Sequence, residues 1–385
     1  MLSIVSDVHA TFLRVPEVLF VSKPVVAPFN DGSKCLVRDI AGALTAYEPR
    51  VMVTKDSKAW SNDVLVARVY AGAGGYRPAL VENARVLAWL LARSKANLWH
   101  FLFAPNPRTS QIGKLVKQIR RIPVVQTIAS PPRSFEEPER LLFGDVVVAQ
   151  SEWTKNEFLR AYERAQLRDI PRIEVIAPSV PELAQPSTQR MQAIRAKLDL
   201  AEDAPLLLYP GDLEVVRARE CIVSMIEPLL REAPGACVVF AYRNKTPRAA
   251  EIAEALRSVL PANAVRFIAE VPDMHALIAT SQVLLFPVDD LYGKVDLPIV
   301  VLEAMHFGVP LVTADEGPLA DLQGGWKVPA SDHRALLRAC LRALWDEGAR
   351  QSCIEAQREA LQRHHRPAHA ARQYEAIYDT LLRRE

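Results

Sequence analysis

Several kinds of segment are missing from this 385-residue chain, and each absence closes off a class of function. Net charge is nearly absent: 47 basic and 45 acidic residues leave +2, which gives no electrostatic case for nucleic acid as the main partner. Cysteine is scarce. Cys35, Cys221, Cys237, Cys340 and Cys353 include no C-x-x-C pair, and their number is odd, so a reduced, cytoplasmic setting is expected over a disulfide framework. Long apolar runs are also lacking. A run such as "VLAWLLA" from Val86 falls far short of the roughly 20 residues that span a bilayer. The opening "MLSIVSDVHA" has neither a basic leader nor a long apolar core, so no signal peptide is expected. No G-x-x-x-x-G-K-[ST] occurs, which excludes a P-loop, and "GAGGY" from Gly72 lacks G-x-G-x-x-G spacing and reads as a turn. His364, His365 and His369 cluster without Cys or acids at ligand spacing, so no metal site is expected there.

What is present is alternation. Strand-like runs ("EVLFVSKPVV", "RVMVT", "LWHFLFA", "IPVVQTIA", "DVVVAQS", "RIEVIA") are separated by loops or helical patterns. A polar segment with two prolines spans 181–203 and reads as a linker followed by a short helix. A second series then begins: "PLLLYPG", "ACVVFAY", "AVRFIAE", "QVLLFPV", "VPLVTAD", "GGWKVP". The expected fold class is α/β with two parallel sheets. At the end, Tyr374, Ile377, Tyr378, Leu381 and Leu382 share one helical face that needs a surface to cover it. Ligands in doubly wound sheets sit beyond the carboxyl ends of the strands, so the loops after strands are the places to inspect.

In "DLPIVVLEAMHFGVPLVTADEGP", a helix from about Val301 to His306 would place Glu303 in its first turn, with Gly308 and Pro310 closing it. Glu303 there either supports the helix end through its dipole or accepts from hydroxyls of a ligand. Gly32 allows close backbone approach at the start of a helix whose N–H groups suit phosphate, while Asn30, Asp31 and Ser33 equally make an ordinary cap. His100 ends a strand and would open on the cleft, or is a satisfied core residue.

The stretch "LEAMHFGVPLVTADEGP" from Leu302 resembles the "LEAMAxGxPVVxxxxGG" signature of retaining glycosyltransferases with the GT-B fold, as in glycosyltransferase family four (glycosyl transferases group 1). "LLLYPGDLEVVRARE", "VRFIAEVPDMHALIATSQVLLFPV", "FGDVVVAQSEWTKNEF" and "IEVIAPSV" are similar to further blocks of that family, in order, over nearly the whole chain. The resemblance implies GT-B architecture: two Rossmann-like doubly wound domains facing a central cleft. Residues 1–180 would bind the acceptor, 181–366 the nucleotide sugar, and 367–385 would form a helix crossing back to the first domain. It implies a metal-independent retaining hexosyl transfer, in keeping with the lack of D-x-D, with the nucleotide sugar as substrate and no separate cofactor. The acceptor stays open among saccharide, lipid-linked and small molecules, with peripheral membrane contact as a further option. A catalytically degenerate binding or scaffold protein of the same fold is the alternative.

By the same resemblance Glu303 binds the nucleotide ribose, with Gly32, Ser33, Gly211, Lys294, Leu297 and Pro298 around the donor. Departures from the pattern matter as much. The family's Glu-x7-Glu would place an acid at Val295, and Asp296 is the candidate to replace it, with Lys294 beside a donor phosphate; otherwise both are solvated loop charges. The arginine that clamps the donor phosphates is Asp212 here, an acid expected to repel them. Arg217 and Arg243 are the expected replacements, with Lys245 near the latter, unless they are surface charges. Asp212→Arg would then be tolerated or would strengthen diphosphate binding. His100 remains an acceptor-side candidate.

Overall fold

The computed structural model describes residues 15–29, 31–72, 79–201 and 203–383. The opening stretch read for a signal peptide, Asn30 and 73–76 of the "GAGGY" turn lie outside the described residues. The first domain runs β1 (Glu17–Val21), α1 (Gly32–Ala43), β2 (Glu48–Thr54), β3 (Leu65–Tyr70), α2 (Leu80–Ala92), β4 (Leu98–Phe103), α3 (Pro107–Arg120), β5 (Val124–Ile128), β6 (Val146–Ala149), α4 (Glu152–Arg164) and β7 (Arg172–Val175). The second runs α5 (Thr188–Lys197), β8 (Leu206–Tyr209), α6 (Val216–Glu232), β9 (Cys237–Tyr242), α7 (Pro247–Val259), β10 (Val265–Ala269), α8 (Met274–Ala279), β11 (Val283–Phe286), α9 (Ile299–Phe307), β12 (Leu311–Ala314), β13 (Trp326–Val328), α10 (His333–Trp345) and α11 (Glu347–His364). A last helix, α12 (Pro367–Leu382), follows.

The first sheet has seven strands in the order β3-β2-β1-β4-β5-β6-β7, the second six in the order β10-β9-β8-β11-β12-β13. Every pairing given by the register is parallel. Both are doubly wound sheets whose order reverses at one switch point, β1/β4 in the first and β8/β11 in the second. Helices cover both faces of such sheets, so the central strands read as unbroken apolar runs: "EVLFV" and "VLLF" are buried throughout. β3 was not among the expected strands. It is an edge strand, and the exposed Arg68 in its middle breaks the apolar run that marks its neighbours.

Two chain crossings join the domains side by side. Val180 donates its N–H to the His365 carbonyl at 2.9 Å. The His365 ring Nδ1 lies 2.9 Å from the Pro178 carbonyl. Beyond this junction α12 lies on the first domain. Tyr374, Ile377, Tyr378 and Leu381 join one core with Val18, Phe20, Leu36 and Ile40, and the Tyr47 hydroxyl donates to Asp379 at 2.6 Å. Among the described residues no helix is long and apolar enough to cross a membrane.

Candidate functional site

Three loops at the carboxyl end of the second sheet, those after β8, β9 and β11, converge on one carboxylate, Asp212. Lys245 Nζ donates to Oδ2 at 2.8 Å, Lys294 Nζ donates to the same oxygen, and Arg243 Nη2 stands 3.9 Å from Oδ1. Burial alone would raise the Asp212 pKa; Lys294 and Lys245 outweigh it and hold the carboxyl at about 2. Burial and the neighbouring Arg243 push Lys245 below its usual value. Asp212, expected to repel a diphosphate, gathers three cations into one cluster. The loop reaches this position through Gly211. A Cβ there would lie 2.3 Å from Tyr209 Cζ, so only glycine lets the chain wrap over that ring, whose hydroxyl donates to the Asp212 carbonyl at 3.1 Å.

Arg217 stands apart from this cluster. It lies in the first turn of α6, half exposed, held by the Asp289 carboxylate and 3.5 Å from Glu316. Of the two arginines expected to replace the clamp, Arg243 is thus at the cluster and Arg217 is not; Lys245 and Lys294 are the closer cations.

The helix carrying Glu303 begins at Ile299, earlier than expected, so Glu303 sits in the second turn and the first turn holds no acid. Its Oε1 lies 3.4 Å from His275 Nε2, and this contact raises the His275 pKa. Across the cleft its charge is felt by Cys35, Arg38 and Asp39 of α1. Burial pushes Asp39 up to about 6 despite Arg38, whose Nε donates to it at 2.6 Å. Pro298 caps α9, and Leu297 is buried in the second core.

In the first domain Asp31 caps α1. Ser33 donates to its Oδ1 from the backbone at 3.0 Å and from the hydroxyl at 2.6 Å, and Lys23 Nζ reaches Oδ2 at 2.8 Å. The close approach at Gly32 is to the other domain: a Cβ would meet Val295 Cγ2 at 3.2 Å. Cys35, Val295 and Ile299 form a small apolar contact there.

Asp296 is no solvated loop charge. It is fully buried, and Ser151, the N-cap of α4 in the first domain, donates to its Oδ2 at 2.7 Å. Burial raises its pKa to about 6, which the Ser151 hydroxyl offsets only in part. Asp296 Oδ1, Gln150 Nε2 and Thr154 Oγ1 are buried without hydrogen-bond partners, an unusual grouping. His100 does not open on the cleft. It is fully buried within β4, with Nδ1 2.7 Å from the Tyr378 hydroxyl and Nε2 2.7 Å from Thr127 Oγ1, and burial lowers its pKa to about 3. Among the described residues no group of three His, Cys, Asp or Glu is placed to hold a metal ion. Sequence reading did not mark Ser151, Trp153 or Asp289; the signal available was their position just after β6 and β11.

Residues 204–346 match the sequence model of the glycosyl transferases group 1 family. No curated protein matches the chain by sequence. Solved structures do match. Anabaena HepE in complex with UDP-glucose is 16% identical, with 95% of this chain and 100% of that chain covered and a TM-score of 0.71. Sucrose-phosphate synthase from Thermosynechococcus elongatus is 18% identical over 97% and 100% of the chains, with a TM-score of 0.72. A UDP-forming α,α-trehalose-phosphate synthase from Burkholderia xenovorans is 14% identical over 95% and 99%, with a TM-score of 0.72. The chain resembles glycosyl transferases group 1 and has the GT-B fold, two Rossmann-like domains facing a central cleft.

Proposed function

We propose that this protein is a retaining glycosyltransferase that takes its sugar from a nucleotide-sugar donor. One observation carries the reading: Arg243, Lys245 and Lys294 gather at the carboxyl end of the second sheet around the β8/β11 switch point, where doubly wound sheets bind ligands. The donor diphosphate would lie on these cations, with the ribose on Glu303. An acceptor hydroxyl attacks the anomeric carbon as the bond from that carbon to the phosphate oxygen breaks. The acceptor's proton passes to the departing phosphate. The chain's own contribution is positioning and positive charge where negative charge develops. Two structures of HepE, bound to UDP-glucose and to UDP with glucose, support a donor of this class.

A catalytically degenerate binding protein of the same fold is the second reading, favoured by Asp212, which already occupies the cations a diphosphate would use. The two separate on incubation with a panel of sugar nucleotides and neutral or phosphorylated sugar acceptors, followed by NMR of the products. The enzyme reading expects a new glycoside with the donor's anomeric configuration. Saturable binding with no product from any donor would favour the degenerate reading; an inverted product would overturn retention. Glu303→Ala is expected to weaken nucleotide binding by about 1.5–3 kcal/mol, the range for hydrogen bonds to charged groups, and an unchanged affinity in calorimetry would remove Glu303 from the site.

A further inference from the structure

The second residue of α8 is a histidine set against the carboxylate of Glu303. The start of that short helix is held firmly. Asp273 caps it, accepting from the Ala276 N–H at 3.0 Å, and the Arg190 guanidinium of α5 forks onto the same carboxylate at 2.8 and 2.9 Å. On its other side α8 packs on α9. There Glu303 and Phe307 lie one turn apart and share a face. The His275 ring rests against both. Its centroid is 5.5 Å from that of Phe307, and its Nε2 is 3.4 Å from Glu303 Oε1. The Glu303 side chain is largely shielded, with 17% of its surface exposed. His275 stands at the start of the helix after β10, so it lies at the same carboxyl edge of the second sheet as Asp212 and its cations.

We infer that His275 is a positioning residue for the donor's ribose: its ring holds one oxygen of Glu303 and leaves the other to accept from a ribose hydroxyl. The inference rests on the reading of Glu303 as the ribose-binding acid and adds a residue that acts through it. A carboxylate oxygen only accepts, so Nε2 carries the hydrogen whether the ring is neutral or charged. Among the described residues the Glu303 carboxylate has no other hydrogen-bond partner. Its Oε2 therefore keeps its lone pairs for a ligand. A glutamate with no such contact has several torsions free, and a ligand that binds it must order them all. The Nε2 hydrogen bond, with Phe307 behind the ring, sets the carboxylate's direction before a ligand arrives. The electrostatics agree with the geometry. Glu303 raises the His275 pKa through the hydrogen bond and its charge, against the effect of burial; Asp273 adds to the rise and Arg190 opposes it.

Two variants separate the hydrogen bond from the packing. His275→Phe keeps a ring on Phe307 and loses the donor, whereas His275→Gln returns an N–H of similar reach. Calorimetry on the full chain compares UDP, GDP, ADP and dTDP with counterparts that lack every ribose hydroxyl. A diphosphate that the parent binds should lose about three- to tenfold in His275→Phe, the factor for leaving one flexible side chain to be ordered on binding. His275→Gln should recover most of that loss. The counterpart without hydroxyls should bind parent and both variants alike, because the direction of Glu303 then has nothing to act on. NMR titration of the imidazole C–H signals reads the contact with no ligand present. The resonance missing from His275→Phe should titrate at lower pH in Glu303→Gln than in the parent, since the carboxylate favours the charged ring. Equal diphosphate affinity in parent and His275→Phe, a loss shared by the counterpart without hydroxyls, or an unmoved titration overturns the inference. Glu303→Ala separates this failure from that of the reading beneath it. If Glu303→Ala weakens diphosphate binding and His275→Phe does not, the ribose acid stands and its positioning by His275 falls; if Glu303→Ala loses nothing, both fall.

Discussion

Because two lysines hold Asp212 at about 2, it stays ionised at any working pH, and a diphosphate must compete with it for the same ammonium groups. The internal carboxylate holds Lys245 and Lys294 together on one oxygen in the absence of ligand. Removing one partner of a largely buried ion pair costs about 3–5 kcal/mol. Asp212→Ala is expected to lose about that much in chemical denaturation, and Asp212→Arg more, because four cations would then crowd one site; this reverses the tolerance expected from sequence. A midpoint for Asp212→Arg equal to the parent's would show that the cations do not depend on Asp212. Asp296 makes a pH prediction of its own. Its folded-state pKa, about 6, lies above the ordinary 3.8, so the folded state binds the proton more tightly than the unfolded chain. Its contribution to stability therefore falls as pH rises from about 4 to about 6 and is constant above that. Asp39 acts with the same sign. Asp296→Asn, which can still accept from Ser151, should flatten part of this decline and gain stability at pH 8. The gain is on the order of 3 kcal/mol for a shift of about two units. Parallel stability curves for parent and variant from pH 4 to 8 would contradict it.

At the scale of elements, α12 shows what a helix can do far from its neighbours in sequence. Tyr374, Ile377, Tyr378 and Leu381 are buried on the first domain, and each such side chain is worth about 1.5–3 kcal/mol. Four of them rival the roughly 5–15 kcal/mol of a whole domain. Deleting 367–385 also strips His100 of its Tyr378 partner. The truncated chain is expected to aggregate or to lose its cooperative unfolding transition; a soluble product with the parent's melting temperature would make α12 an appendage. Much of this scale was legible beforehand. Apolar runs marked the buried strands, Gly308 ends α9 at φ 73°, and the helical spacing of Tyr374 to Leu381 announced a face seeking a surface. What was not legible depends on contacts with no local trace. Lys294 meets Asp212 across 82 positions, Ser151 meets Asp296 across 145, and Tyr378 meets His100 across 278. Composition around His100 or Asp296 looks like a strand end or a loop, and only the partner decides whether the group is buried. Near Glu303, the apolar Ile299 and Val300 extend the helix by two residues toward its N-terminus, which displaced the carboxylate from the first turn.

Over the whole molecule, the domains meet through contacts of different kinds. Ser151 and Asp296 bond across the cleft in a buried polar pocket, Trp153 and Asp321 at its rim, and Gly32 touches Val295 where any side chain would crowd. Each of these lies in or beside a loop at a strand's carboxyl end, so closure brings together the loops that would bind donor and acceptor. The central claim is that the cations held by Asp212 form the diphosphate site of a nucleotide-sugar enzyme. Isothermal titration calorimetry tests it with UDP, GDP, ADP and dTDP, each compared with its bare nucleoside, on the parent and on Lys294→Ala. The account predicts saturable binding of at least one diphosphate. It also predicts that Lys294→Ala weakens that binding by about 1.5–3 kcal/mol, the range for a hydrogen bond to a charged group, while leaving the nucleoside's affinity as it was. Equal losses for nucleoside and diphosphate, or diphosphate binding untouched by Lys294→Ala, would contradict it.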